Sequence, residues 1–184
     1  MIQIINTITI FRILLAPVIF IFLMLGSYAA STILFFLAGM TDFFDGYLAR
    51  KYNAESELGE ILDPIADKII VVFILVGLSV SLDSYLIAFL SCLIISREIA
   101  VAALRDYSAR NNLSHRTKVT FLAKTKTAFQ LSTIATYLFA MTLNLNLLLI
   151  ICDIFLIIST LITVYTGYQY AVNVFRKWKF QRKR

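Results

Sequence analysis

The chain of 184 residues is 60% hydrophobic and only 15% charged, with a mean hydropathy of +0.83, which is too apolar for a water-soluble domain of ordinary composition. Its formal charge is +6, but the basic residues flank or interrupt lipid-length apolar runs instead of coating one face, which excludes a nucleic-acid-binding domain. Cys92 and Cys152 lie in apolar runs without CxxC spacing, and the single histidine, His115, lies in a polar stretch, so a thiol–imidazole metal site or a histidine-based triad has no material to form from.

Six apolar stretches follow one another at residues 7–25, 29–49, 61–82, 85–104, 127–143 and 147–172, each close to the ~20 residues a helix needs to cross a hydrocarbon core. They predict an all-α integral membrane bundle of six transmembrane helices, forming a single domain over residues 1–184. Arg12 interrupts the first stretch and no charged segment precedes it, so that stretch is expected to remain as a helix and not to be removed as a signal peptide. Pro17 is expected to kink it by freeing the carbonyl of Ile13, whereas Pro64 is expected in the first turn of the third helix, where a missing amide costs little. The connections at 26–30, 81–84 and 142–146 are so short that successive helices must be antiparallel neighbours. Those connections hold no lysine or arginine, while Arg50, Lys51, the segment 105–126 and the tail 176–184 hold nearly all of them. The positive-inside rule therefore puts both termini and the longer loops in the cytoplasm. Tyr165, Tyr168, Tyr170 and Trp178 suit an interfacial aromatic belt on that side or packing between helices.

The second and third stretches carry the chemistry. Asp42 and Asp45 are spaced i,i+3, and Asp63 and Asp67 i,i+4, so each pair shares a helix face. The second helix descends to the cytoplasm and the third climbs from it, so antiparallel packing is expected to bring all four carboxylates to one depth. A carboxylate at mid-helix in lipid costs ~2.5 to 3.5 kcal/mol on insertion scales, less near the interface, and mutual repulsion adds to that. Helix caps require only one aspartate per helix end, so four in two spaced pairs predict a metal cluster. Two divalent cations would neutralise four carboxylates, and oxygen ligands suit Mg2+ or Mn2+. Gly46 and Ala49 form a small-x-x-small patch beside the acids, open to either helix packing or close ligand approach.

Asp42, Asp45, Gly46, Ala49, Arg50, Gly59, Asp63 and Asp67 match, with every spacing intact, the signature of the CDP-alcohol phosphatidyltransferase family, which this chain resembles in length and helix count as well. The resemblance implies that Asp42, Asp45 and Asp63 are the principal metal ligands, and that Asp67 is the catalytic base and a further member of the metal cluster. It also implies that Gly46, Arg50 and Ser56, with Ala49 beside them, line the CDP-lipid site; Gly46 permits close approach and Arg50 can pair with a pyrophosphate oxygen. A bacterial inner membrane with the active site facing the cytoplasm is the expected location, and a homodimer the expected assembly.

The acceptor is addressed by a second set of charges. Arg97 precedes Arg105 by eight residues, or ~12 Å of helix, which places it inside the bilayer, where it requires an anion. Glu98 is a neighbour that could serve as that anion in a structural ion pair. Arg105, Lys124 and Lys126 could close a phosphate pocket or act as cytoplasmic anchors. The segment 96–105, reading SREIAVAALR, the run Lys124, Thr125, Lys126, Thr127, and the opening residues Asn6, Thr9, Arg12 and Pro17 resemble the subgroup of the family that uses glycerol 3-phosphate, although Ala123 replaces its usual glycine and Ile5 its usual proline. The reaction implied is transfer of the phosphatidyl group from CDP-diacylglycerol to glycerol 3-phosphate with release of CMP. Phosphatidylglycerol as acceptor is the alternative within the family, with serine or inositol phosphate behind it. Outside the family stands a cation transporter, since intramembrane carboxylates mark those too, but only Asp153 would continue a path through the opposite half of the bundle.

Overall fold

The computed structural model describes residues 2–52, 57–110 and 121–181. Six helices account for them: α1 (Ile2–Met24), α2 (Tyr28–Tyr52), α3 (Glu57–Ser81), α4 (Tyr85–Arg110), α5 (Phe121–Thr142) and α6 (Asn146–Gln181). Each apolar stretch is a helix, and most run on past the apolar residues at the end carrying the basic segments, because a helix does not have to stop where the hydrocarbon does. By length and composition three segments can cross a membrane: Asn6–Met24, Tyr85–Arg110 and Asn146–Arg176, with a shorter apolar helix at Tyr28–Phe44. Charged residues near the ends of α3 and α5, such as Asp63, Asp67 and Lys68, interrupt the other apolar runs.

Three tight reversals pair the helices. Gly26, Asp83 and Asn144 each adopt a left-handed conformation, with φ of 72°, 45° and 54°. In each, that residue's amide bonds back three positions and the next residue's amide bonds back five: Ser27 to Phe22 at 2.9 Å, Ser84 to Ser79 at 3.1 Å and Leu145 to Ala140 at 2.9 Å. This is the Schellman arrangement, which satisfies the orphan carbonyls of the helix that ends there. The following helix starts at once; the Ser84 hydroxyl caps α4 by accepting from the Ile87 amide.

The hairpins α1–α2, α3–α4 and α5–α6 close into a ring in the order α1–α2–α5–α6–α4–α3. The expectation that α2 and α3 pack directly is corrected here: among the described residues they do not touch, and α1 stands between them. Short connections dictate the partner within a hairpin but not the order around the ring. Pro64 is also corrected, since α3 begins at Glu57 and Pro64 lies inside the helix, where it cannot donate to the carbonyl of Glu60. Pro17 likewise lies inside α1, which continues through it.

The inner faces of the ring form one apolar core, including Ala16, Ile19 and Leu23 of α1, Ile74 and Leu78 of α3, and Ile134, Tyr137 and Leu138 of α5. Large apolar residues such as Phe11, Leu14, Phe36, Phe89 and Leu161 point outward and are exposed, as expected of a protein whose solvent is lipid. Small hydroxyl side chains stitch the seams: Thr32 of α2 bonds to the Leu138 carbonyl at 3.2 Å, and Ser81 of α3 to the Leu23 carbonyl at 3.2 Å.

Candidate active site

Toward the end of the ring that carries the basic segments, the α1 core stripe turns polar. One and two turns before Ala16 come Arg12 and Thr9, both fully buried, and because they are three residues apart they share the face that looks at α2 and α3. Arg12 Nη1 donates to Asp42 Oδ1 of α2 and to Asp67 Oδ1 of α3 at 3.1 Å. Thr9 Oγ1 donates to Asp63 Oδ1 at 3.0 Å. A single face of α1 thus gathers three of the four aspartates from two helices that do not touch each other. An arginine in a membrane helix is costly without an anion, and that signal, a lone charge interrupting an apolar run, marks Arg12 as a residue in need of acidic partners.

Asp42 and Asp67 also border a cavity of about 310 Å³, whose wall includes Arg12, Gly39, Lys68, Arg97, Glu98, Arg105 and Gln130. A Cβ placed on Gly39 would meet nothing within 4 Å, so the α2 wall is open there. Arg97 reaches the cavity from α4. Its Nη1 donates to Glu98 Oε1 at 3.0 Å and its Nη2 to Thr166 Oγ1 of α6 at 3.0 Å. The α6 backbone at Gly167 makes room for it: an added Cβ would lie 2.8 Å from Arg97 Cγ and Nε. Arg97 is therefore both partner of Glu98 and part of the cavity wall. Arg105 lies two turns further along α4, with its guanidinium carbon 5.9 Å from the centre of the Tyr170 ring, within reach of a cation–π contact.

The other expected site residues are placed in outline. Asp45 follows Asp42 by one turn, and Gly46, Ala49 and Arg50 continue α2, while Lys124 and Lys126 belong to the opening turns of α5; of Asp45, Ala49, Arg50, Lys124 and Lys126 only the helical backbone is described. Ser56 lies outside the described residues. Asp153, the acid that would continue a transport path, accepts a 2.6 Å hydrogen bond from the Tyr137 hydroxyl in the α5–α6 seam.

Three hairpins of apolar helix closed around a cavity of carboxylates and guanidinium groups define an integral membrane protein with its charged groups gathered at one end of its bundle. The chain belongs to the CDP-alcohol phosphatidyltransferase family, whose sequence profile matches residues 3–168. It is similar to proteins named CDP-diacylglycerol–glycerol-3-phosphate 3-phosphatidyltransferase from three bacteria. That of Rickettsia bellii is 39% identical over 169 residues, covering 90% of this chain and 91% of that protein. That of Haemophilus influenzae is 35% identical over 165 residues, covering 88% of each. That of Escherichia coli is 33% identical over 130 residues, covering 69% of this chain and 71% of the relative. The chain is accordingly an enzyme, a transferase of phospholipid biosynthesis.

Enzymes of this family generally depend on divalent metal, and the residues present suit such an ion. One nitrogen of Arg12 is engaged by both Asp42 and Asp67, so a cation already stands where two carboxylates converge. The acids gathered there offer only oxygen donors, the chemistry a hard divalent ion prefers. Among the described residues no three ligating side chains form a closed metal group by themselves.

Proposed function

We propose that this enzyme transfers the phosphatidyl group of CDP-diacylglycerol to glycerol 3-phosphate, giving phosphatidylglycerophosphate and CMP. The observation that carries this reading is the shared cavity: Arg97 and Arg105 line the same space as Asp42 and Asp67. An acceptor bearing a phosphate can put that group against the guanidinium side and its hydroxyl toward the carboxylates. A net-neutral acceptor such as serine would bring no phosphate to the two arginines, only a carboxylate with an ammonium group beside it. The relatives' names point to the same pair of substrates.

The acceptor hydroxyl oxygen attacks the phosphorus that bears diacylglycerol. The new P–O bond forms as the bond to the cytidine-side phosphate breaks, CMP leaves with that electron pair, and Asp67 takes the hydroxyl proton. Two divalent ions, Mg2+ or Mn2+, held by Asp42, Asp45, Asp63 and Asp67, would supply charge neutralisation at the pyrophosphate and the leaving phosphate. Gly46, Ala49, Arg50 and Ser56 form the CDP-lipid side of the site, and Arg97, Arg105, Lys124 and Lys126 hold the acceptor phosphate. All six helices span the inner membrane of a bacterium as one domain, with both termini and the acids on the cytoplasmic side, and the family resemblance supports a homodimer as the assembled form.

The test is CMP release by detergent-purified protein with CDP-diacylglycerol and, in turn, glycerol 3-phosphate, phosphatidylglycerol, serine and inositol 1-phosphate. Glycerol 3-phosphate is expected to support the fastest release. A better rate with phosphatidylglycerol would replace this reading by a cardiolipin synthase, and no CMP with any acceptor would remove the transferase reading.

A further inference from the structure

The core stripe of α5 is apolar from Met141 down through Leu138, Tyr137 and Ile134, all buried, and one turn further toward the basic end it is occupied by Gln130. Gln130 is 3% exposed and lines the cavity together with Asp67, Arg97 and Arg105. Its side-chain amide has two donors and a two-lone-pair acceptor, yet it bonds to nothing among the described residues. Gln130 is not among the side chains whose polar atoms are sealed away unpaired, so its amide opens into the cavity, where a molecule that enters can take its bonds.

The rest of the wall narrows what that partner can be. Its charged members are one-directional, since carboxylates only accept and guanidinium and ammonium groups only donate. Among the described residues two neutral polar side chains line the cavity, Thr127 and Gln130; Thr127 is exposed and already engaged, whereas Gln130 is buried. An amide can donate to and accept from the same hydroxyl neighbourhood, which suits an uncharged alcohol that takes no part in the reaction.

Resting on the acceptor proposed above, we infer that Gln130 binds the central hydroxyl of glycerol 3-phosphate and so selects a phosphorylated triol over an acceptor lacking that group. The phosphate lies with the arginines, the terminal hydroxyl with Asp67, and the central hydroxyl between them is left for the amide. Gln130 is thereby a specificity-determining residue, and its contribution is realised only when the acceptor carries the group it reads.

The experiment compares glycerol 3-phosphate with 3-hydroxypropyl phosphate, which lacks only the central hydroxyl, as acceptors for CMP release by the full-length protein in detergent. Wild type is expected to favour glycerol 3-phosphate by about tenfold to hundredfold in kcat/KM. Gln130→Met, similar in length but unable to hydrogen-bond, should bring glycerol 3-phosphate down to the level of the deoxy acceptor while leaving use of the deoxy acceptor within about threefold of wild type. A variant that loses both acceptors equally, or that keeps the wild-type preference, overturns the assignment. Equal use of the two acceptors by wild type also overturns it, whether or not the variant folds, while leaving the proposed reaction standing. Failure of wild type to use either one removes the proposed reaction as well.

Discussion

Replacing Arg12 by methionine tests whether a fixed charge balances the acid cluster. The substitution keeps an unbranched side chain in a fully buried position and removes the guanidinium that Asp42 and Asp67 share. Two charge-assisted hydrogen bonds at about 1.5 to 3 kcal/mol each set the upper limit of the loss. Asp42 and Asp67 are 50% and 58% exposed, so water recovers part of it, and a net loss of about 2 kcal/mol is expected in EDTA. Divalent metal reverses the comparison. In wild type an ion must displace Arg12 from the two carboxylates, and in the variant it need not, so Mn2+ should bind the variant about tenfold more tightly, adding about 1.4 kcal/mol of stabilisation at saturation. Thermal unfolding in detergent with EDTA and with Mn2+, together with Mn2+ titration followed by electron paramagnetic resonance, reads both effects. Equal melting temperatures in EDTA combined with equal metal-induced shifts would refute the view that Arg12 is the resident countercharge.

Asp42→Asn, Asp45→Asn and Asp63→Asn are each expected to abolish CMP release while the protein remains inserted and monodisperse by size exclusion, and excess EDTA should do the same to wild type; turnover in EDTA would remove the metal cluster. Asp67→Asn should slow transfer by about 10²- to 10⁴-fold with CDP-diacylglycerol binding retained, whereas normal turnover with weak lipid binding would reassign Asp67 to binding. Arg97→Ala should raise the KM for glycerol 3-phosphate by roughly tenfold to hundredfold with kcat little changed. Gly167→Ala should shift KM in the same direction by less, because its Cβ would press on Arg97 Cγ and Nε at 2.8 Å without removing the charge; an unaltered KM in both variants would separate Arg97 from acceptor binding.

The helices were legible because lipid demands a run of apolar residues of nearly fixed length, and all six stretches reappear in α1 to α6. Their ends were not, since the helical hydrogen-bond ladder continues after apolarity stops: the last stretch fades near Val172, but α6 runs to Gln181. The pairing of neighbours across short turns was legible too, whereas the position of α1 between α2 and α3 was not, because a turn constrains only the two helices it joins. At the site, spacing singled out four aspartates, each charge standing out against its surroundings, and the structure gathers Asp42, Asp63 and Asp67 of them about α1. Gln130 gave no such signal, as an uncharged side chain whose surroundings only the tertiary structure supplies, and Thr9 was marked only through the resemblance of the opening residues. Thr166 and Gly167 lie on α6, about seventy residues from Arg97, and nothing local links them.

The order of helices around the ring also divides the site between two parts of the chain. The first four helices form an open arc, α2–α1–α3–α4, that already contains Arg12 and the acids it gathers. The wall that supplies Gln130, and the α6 surface that steadies Arg97, belong to the final hairpin, with α5 docking on α2 and α6 on α4. A chain without its last hairpin would keep Arg12 beside Asp42 and Asp67 but leave the cavity open on the side that α5 and α6 close.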